Sequence, residues 1–186
     1  MKTYRILWVS LFLFVLDQAT KWVVASNMRL HESIPVLGDF FRLTYVENPG
    51  MAFGIRISNN LFFTVFAVVA SIVIMLYLFK LKEEQRWARF AMTVILGGAL
   101  GNLTDRILRG RVVDFLDFEF FDIHIPAFKL FSIPFAGYSL ERWPVFNVAD
   151  IALSVGMVML LIYILFLEED ETQLQAEAAD TSEMIR

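Results

Sequence analysis

The chain has 186 residues, of which 58% are hydrophobic and 15% aromatic, and its formal net charge is −4. A soluble domain contains about 45–50% apolar residues, so the composition predicts an integral membrane protein. There is no cysteine, which excludes disulfides, cysteine nucleophiles and thiolate metal sites. Only two histidines occur, His31 and His124, and neither stands in a His-Glu-x-x-His motif. A zinc peptidase and a histidine-dependent serine peptidase are therefore disfavoured, and we predict no metal, no other cofactor and no nucleic-acid partner.

Four apolar stretches have the length of a membrane-spanning helix, about 20 residues. They cover residues 6–25, 61–79, 90–108 and 145–167. The first follows Lys2 and Arg5 as a signal peptide would, but no small-residue cleavage site follows it and it contains Asp17 and Lys21. We therefore predict a retained span. Asp17 and Lys21 are four residues apart, a spacing that allows an ion pair within the helix, and we predict that they have a structural role.

Four spans would place both termini on one side of the membrane and the long loops 26–60 and 109–144 on the other. Basic residues are dense near the span ends on the terminal side, above all in the short loop 80–89, and this predicts a cytoplasmic location for the termini. Several arginines on the opposite side dilute that signal and need another explanation. Residues 168–186 are acidic and poor in apolar residues, so we predict one membrane domain, 1–167, followed by a disordered cytoplasmic tail.

The two long loops differ in character. Residues 40–46 are rich in strand-favouring residues and are followed by Asn48-Pro49-Gly50, a turn signal, which predicts a small sheet outside the membrane. The second loop combines many aromatic residues with prolines. Aromatic rings are favoured at the level of the lipid headgroups, so we expect this loop to lie there and to shield whatever it faces.

The third span carries polar residues on one broad face. Spacings of three and four bring together Gly98, Asn102, Asp105 and Arg106. Unpaired polar groups next to hydrocarbon are costly, so this face must point into protein. A simpler interpretation is that Gly97 and Gly101 only allow close helix packing, and that Asp105 and Arg106 pair locally. For the glycines both interpretations stay open, whereas Asn102 and Asp105 favour a functional site.

Two further aspartates fall where their loops face the same side of the membrane. Asp114 follows Gly110, where the third helix should end and the chain should become extended. Asp150 lies about five residues into the fourth predicted span, roughly 7–8 Å below its outer end, with Asn147 and Ser154 on the same helical face. A charge at the bilayer centre costs at least ~2.5 kcal/mol. The two acids are therefore candidates for a function.

Paired carboxylates at a low-dielectric surface predict acid–base chemistry. The two groups cannot both ionise easily, so one holds a proton while the other stays charged. The ionised carboxylate can take a proton from a water that attacks a carbonyl, and the protonated one can donate to the developing oxyanion. This is the arrangement of aspartic peptidases and predicts peptide hydrolysis.

Three alternatives remain open from the residues alone. Asp150 could simply be the buried ion-pair partner of Arg106 or Lys21. A small proton-coupled carrier could use the same carboxylates as a relay, although carriers commonly show internal repeats, and none is evident here. An inactive scaffold would use the acids only as ion-pair partners.

Four motifs, in order along the chain, resemble those of the bacterial lipoprotein signal peptidases (signal peptidase II), a family of inner-membrane aspartic endopeptidases. They are Asp17-Gln18-Ala19-Thr20-Lys21, Asn48-Pro49-Gly50-Met51-Ala52-Phe53-Gly54, residues 98–106 together with 112–115, and Phe146-Asn147-Val148-Ala149-Asp150. The similarity covers nearly the whole chain before the tail. Two features depart from the family pattern: the loop 116–144 is longer than usual, and Met51 stands where alanine is common.

The resemblance implies an all-α integral membrane protein of four transmembrane helices, with a small extramembrane β-cradle and a periplasmic lid helix or loop. Asp114 and Asp150 would form the catalytic dyad, and Asp17 and Lys21 would support the fold. The residues that bind substrate or order the site would be Asn48, Gly50, Gly54, Gly98, Asn102, Asp105, Arg106, Asn147 and Ala149.

The resemblance also implies a substrate and a location. The enzyme would cleave diacylglyceryl-modified prolipoproteins just before the lipidated cysteine and would be a target of globomycin. It would work as a monomer among membrane lipids in the bacterial inner membrane, with its active site near the periplasmic face.

Overall fold

A computed structural model of the chain describes residues 3–52, 55–56, 60–120, 123–130, 133–135, 137–140 and 142–167. The helices are α1 (Thr3–Asn27), α2 (Asn60–Lys80), α3 (Arg86–Arg109) and α4 (Val148–Ile162), and α4 continues into a π-helical turn, Tyr163–Leu167. The strands are β1 (Ser33–Leu37), β2 (Phe41–Asn48), β3 (Met51–Ala52), β4 (Ile55–Arg56), β5 (Val112–Phe118), β6 (Ile123–Ile125), β7 (Phe128–Leu130), β8 (Ile133–Phe135) and β9 (Tyr138–Leu140). Gly54 and the predicted tail 168–186 lie outside the described residues.

Among the described residues, three helical segments are long and apolar enough to cross a membrane. They are Arg5–Asn27 in α1, Leu61–Lys80 in α2, and Val148–Phe166, which joins α4 to the π-helical turn. These segments agree with the first, second and fourth predicted spans. The third predicted span, 90–108, lies in α3, whose 24 residues are long enough but include five charged ones. The four-span topology therefore stays a prediction.

Helix α3 lies at the centre of the helical bundle, in contact with α1, α2 and α4. Against α2 it buries Met92, Ile95 and Leu96 around Leu78. Against α1 the approach depends on glycine, because a Cβ at Gly101 would lie 2.5 Å from Oδ2 of Asp17. The predicted close packing at this glycine is confirmed. The central position also accounts for the polar residues of α3, since neighbouring helices can provide partners for them.

The predicted sheet outside the helices is confirmed, and it includes β5, whose pairing with the first loop the sequence did not predict. β1, β2 and β5 form a three-stranded antiparallel sheet in that order. β5 belongs to the second long loop and pairs with β2, with Asp114 opposite Val46. A small hydrophobic core of Val24, Tyr45, Val113 and Phe115 joins the end of α1 to this sheet. The sheet therefore holds β5 at the end of the bundle.

The described part of the second long loop after β5 consists of strands. β6 pairs with β9 and β7 with β8, each antiparallel, so these residues form ribbons and not the lid helix that was one of the two predicted forms. Aromatic rings cluster around the end of β5, with centroids of neighbouring rings 4.5–6.3 Å apart: Phe40, Phe41, Phe118, Phe120, Trp143 and Phe146. A covering role for this loop stays a prediction.

Arginines near the sheet end of the bundle form ion pairs with acidic residues. The pairs are Arg42–Asp39 at 3.1 Å, Arg109–Asp105 at 2.6 Å, Arg111–Glu47 at 3.3 Å, Arg142–Asp117 at 2.8 Å and Arg142–Glu119 at 2.5 Å. Arg142 also donates to the backbone carbonyl of Asp39 at 3.0 Å. These arginines neutralise acids of the sheet and its surroundings, which supplies the separate explanation that they need.

Candidate active site

The carboxylate of Asp114 is held in β5 just beyond the end of α3. The helix ends as predicted at Gly110, which has a left-handed φ of 72°, and the chain is extended from Val112. Asp114 is only 4% exposed. Its Oδ1 accepts a hydrogen bond from Nδ2 of Asn147 at 2.6 Å, and its Oδ2 accepts one from Nδ2 of Asn48 at 3.2 Å. The strand and two amides therefore fix this carboxylate.

Asp150 lies in the first turn of α4, and its predicted depth is wrong. The helix begins at Val148 with Asn147 as its N-cap, so Asp150 is the third helical residue. The preceding residues are extended, because Phe146 pairs with Leu116 next to the sheet. Asp150 therefore lies at the end of the bundle, close to β5, and not about five residues into a span.

Asn147 joins the two aspartates. It is fully buried, and its side chain has two functions. Its Oδ1 accepts the N–H of Asp150 at 3.0 Å while Oδ2 of Asp150 accepts the Asn147 N–H at 3.1 Å, which forms a capping box. Its Nδ2 donates to Asp114. One asparagine thus links both members of the predicted dyad.

Asn102 and Lys21 lie behind Asp150. Nδ2 of Asn102 donates to Oδ1 of Asp150 at 2.8 Å, and its Oδ1 accepts from Nζ of Lys21 at 2.9 Å. Lys21 also pairs with Asp17 at 2.9 Å, as the spacing predicted, and with Asp105 at 3.0 Å. The alternative in which Lys21 is the direct partner of Asp150 does not describe this arrangement, because Asn102 lies between them.

The predicted local pair of Asp105 with Arg106 is replaced by other contacts. Asp105 pairs with Lys21 and Arg109 and accepts the backbone N–H of Val113 at 3.2 Å. Arg106 donates to the carbonyl of Asn102 at 3.3 Å, and its charge interacts with Asp150 and Asp114. Its Nε is buried and has no hydrogen-bond partner among the described residues. The Nε donor of Arg106 is therefore unsatisfied within the part of the chain that the structure describes.

Three smaller residues shape the site. Gly98 lies against α4, where a Cβ would come within 2.5 Å of the Ala149 carbonyl. The N–H of Ala149 donates to Oδ1 of Asp17 at 2.9 Å, so Asp17 ties α1 to the start of α4. The N–H of Gly50 donates to Oδ1 of Asn48 at 3.0 Å, which leaves the Asn48 amide group to face Asp114. Gly54, the remaining predicted site residue, lies outside the described residues.

Sequence reasoning did not assign Gln18 and Arg109 to the site. Nε2 of Gln18 donates to Asp17 and to the carbonyl of Gly101, both at 3.1 Å. Arg109 lies four residues after Asp105 and pairs with it. That helical spacing could have identified Arg109, whereas nothing in the local pattern points to the contact of Gln18 with α3.

The electrostatics of the site suit a shared proton. Burial, and after it the charge on Asp150, raise the pKa of Asp114 to about 7, although the donors Asn147 and Asn48 act in the opposite direction. Asp114 can therefore carry a proton near neutral pH while a second carboxylate lies beside it. Among the described residues, no group of three or more His, Cys, Asp or Glu has the arrangement of a metal site.

The family model described as signal peptidase (SPase) II matches residues 9–166, a range that contains every residue of this site. The chain belongs to the signal peptidase II family. A lipoprotein signal peptidase of Alteromonas mediterranea is 38% identical over 191 residues, covering 98% of this chain and 94% of the relative. One of Syntrophus aciditrophicus is 39% identical over 153 residues, covering 80% and 84%.

Solved structures of bacterial membrane enzymes have a similar fold. Two structures described as bacterial membrane enzymes solved by the in meso method match with TM-scores of 0.67 and 0.68, at 29% and 28% identity. They cover 87% and 88% of this chain, and the matches cover 87% and 94% of their own chains. The predicted resemblance is confirmed: the protein is a peptidase of a bacterial membrane. The carrier alternative receives no support.

Proposed function

We propose that the protein is a membrane aspartic endopeptidase that removes the signal peptide from diacylglyceryl-modified prolipoproteins by cleavage before the lipidated cysteine. The family supports signal-peptide cleavage from prolipoproteins as the activity, since its matched relatives are lipoprotein signal peptidases. The observation that carries the catalytic type is the link through Asn147, which binds Asp114 and caps the helix turn of Asp150.

The proposed reaction uses one proton held by the dyad. The ionised carboxylate takes a proton from water, and the water oxygen bonds to the scissile carbonyl carbon while the protonated carboxyl donates its proton to the carbonyl oxygen. The tetrahedral intermediate then collapses: the first carboxyl passes its proton to the leaving nitrogen, and the second takes a proton from a hydroxyl of the intermediate, whose oxygen becomes the carbonyl of the new carboxyl group. The C–N bond breaks, and the dyad returns to its starting state.

Residues around the dyad would hold the substrate in place. The Nε donor of Arg106 has no partner among the described residues and the charge of Arg106 interacts with both carboxylates, which supports a role in binding substrate. Asn48, Asn102 and Asn147 each donate to a dyad carboxylate, which supports a site-ordering role. Gly50, Gly98 and Ala149 would act through their backbone, as their contacts with Asn48, α4 and Asp17 suggest.

We further propose that α3 spans the membrane with the three apolar helices, which contact it and could separate its charges from lipid. The basic residues Lys80, Lys82, Arg86 and Arg89 lie at the α2–α3 connection, at the end of α3 opposite the site, which supports cytoplasmic termini. The active site would then open at the periplasmic face of the inner membrane. The protein would act as a monomer, with the ribbons of the second loop over the site.

Cleavage of a defined substrate tests the proposal. The purified protein in detergent is given a diacylglyceryl-modified prolipoprotein and, as the matched control, the same precursor without the lipid. We expect mass spectrometry to find a free signal peptide and a mature chain that begins at the modified cysteine, from the lipidated precursor alone. Equal cleavage of both precursors would contradict the proposed substrate class, and cleavage at another bond would contradict the proposed position.

A further inference from the structure

Lys21 is a fully buried cation that the proposed reaction does not use. Its ammonium group contacts Oδ2 of Asp17, Oδ2 of Asp105 and Oδ1 of Asn102, all at 2.9–3.0 Å. A lysine ammonium has three donors and no acceptor. The three contacts therefore use all the donors of Lys21, and each of them must end on an oxygen atom.

Two donors determine how the Asn102 amide is oriented: Nζ of Lys21 at 2.9 Å and Nδ2 of Asn147 at 3.2 Å both point at its Oδ1. Because Lys21 requires an oxygen, the Oδ1 atom of Asn102 faces Lys21, and its Nδ2 faces Oδ1 of Asp150 at 2.8 Å. A reversed amide would place an NH2 group against the ammonium and an oxygen against a carboxylate, and would lose both hydrogen bonds. Lys21, the shorter of the two contacts and the charged one, thus acts with Asn147 to make Asn102 present a donor to Asp150.

The two members of the dyad then lie in different surroundings. The carboxylate of Asp150 accepts an N–H on each oxygen and lies in the first turn of α4, where the helix dipole favours a negative charge. Asp114 lies in a buried strand, where burial and the charge of Asp150 raise its pKa to about 7, although Asn147, Asn48 and, least of these, the charge of Lys21 act in the opposite direction. Among the described residues, the other charged groups that face the dyad or its polar neighbours are Asp17 and Lys21 from α1 and Asp105, Arg106 and Arg109 from α3.

We propose that Lys21 is a positioning residue of the dyad: through Asn102 it holds Asp150 as the ionised, water-activating member and leaves the proton on Asp114. This inference rests on the proposed function. It divides the roles of the two aspartates, and it gives the motif around Asp17 and Lys21 a part in catalysis besides its structural one.

The test removes the ammonium without leaving an unpaired buried carboxylate. In the double variant Asp17→Asn/Lys21→Met, one negative and one positive charge disappear together, and the new amide oxygen at position 17 can still accept the N–H of Ala149. The single variant Asp17→Asn keeps the contact of Lys21 with Asn102. Arg109→Met is the control for loss of a cation near the dyad, because Arg109 pairs with Asp105 but not with Asn102 in the described structure.

The readout is the pH profile of kcat/KM, whose limbs report the titration of the dyad as a coupled pair. In the double variant, we expect the acidic limb of the kcat/KM profile to move to higher pH by on the order of one unit. At pH values below this limb, kcat/KM should then be about tenfold lower than that of the wild-type protein. We expect a much smaller shift in Asp17→Asn and in Arg109→Met. A purely structural role of Lys21 would reduce the folded fraction without moving the limb.

A double-mutant cycle that combines Asp17→Asn/Lys21→Met with Asn102→Ala tests whether Lys21 affects the dyad through Asn102. If Lys21 acts through Asn102, the two changes together should shift the limb no further than Asn102→Ala alone. An unmoved limb in the folded double variant, an equal shift in Arg109→Met, or additive shifts in the cycle would each overturn the inference. Failure of the proposed function is distinguishable, since the wild-type protein would then not cleave the lipidated precursor at all.

Discussion

Two substitutions of Asn147, to alanine and to serine, should separate its contribution to stability from its contribution to catalysis. Its side chain caps α4 by accepting the Asp150 N–H, and it also donates to Asp114 at 2.6 Å. Asn147→Ala removes both contacts. Asn147→Ser keeps a good capping oxygen, but its shorter side chain has no amide group to donate to Asp114.

The structure allows the two losses to be estimated. Loss of an N-cap costs about 1 kcal/mol, and loss of a hydrogen bond to a charged or partly charged group costs about 1.5–3 kcal/mol. We therefore expect Asn147→Ala to lower the free energy of unfolding by about 2.5–4 kcal/mol and Asn147→Ser by about 1 kcal/mol less. Both variants lose the donor to Asp114, so both should lose about 10- to 150-fold in kcat.

The assay compares unfolding in detergent with turnover of the lipidated precursor for the same preparations. Asn147→Ser should recover part of the stability that Asn147→Ala loses, while its turnover stays low. If Asn147→Ser turned over the precursor at the wild-type rate, the contact with Asp114 would have no role in catalysis. If both variants were equally unstable, the capping role would be refuted.

Two further predictions concern the same end of the bundle. Gly101→Ala places a Cβ 2.5 Å from the carboxylate of Asp17, so we expect thermal unfolding to show a loss of about 1–3 kcal/mol from overpacking; an unchanged Tm would contradict the packing described here. Asp114 has a pKa of about 7 in the folded protein against 3.8 as its ordinary value. Because the folded protein binds this proton more tightly than the unfolded chain, the free energy of unfolding should fall as the pH rises from about 4 to about 7. Asp114→Asn should lose that part of the pH dependence, and an identical dependence in the variant would refute the shift.

The parts of the fold that the sequence predicts well are those set by short-range patterns. Apolar length identified the segments that became α1, α2 and α4, and strand-favouring residues before a turn signal identified β2. The extended segment after Gly110 was predicted, but its pairing with β2 was missed because β2 lies more than 60 residues earlier in the chain. No local pattern specifies that pairing.

At the start of α4, the hydropathy pattern concealed the helix-capping signal in the sequence. Hydropathy locates the beginning of an apolar run, which is near residue 145, whereas the helix begins where its first N–H groups find acceptors. Asn147 followed three residues later by Asp150 resembles a capping box and could have located the start correctly. The depth of Asp150 was wrong because the apolar run was treated as the helix.

The sequence indicated which residues belong to the site better than it indicated the contacts between them. The cost of charges in a membrane singled out Asp17, Lys21, Asp105 and Asp150, and the structure brings these residues to one end of the bundle. The contact of Lys21 with Asn102 joins residues 81 positions apart. Sequence spacing could suggest the pair of Lys21 with Asp17, but it could not show that Lys21 also reaches α3.

The measurement that tests the central claim most directly is turnover of the lipidated precursor by Asp114→Asn and Asp150→Asn, each shown by its unfolding transition to be folded. Asparagine keeps the size of the side chain but can neither hold nor pass on the proton of the dyad. We expect both folded variants to release no signal peptide under conditions in which the wild-type protein cleaves completely. Turnover by either variant at a rate near that of the wild type would contradict the two-aspartate mechanism.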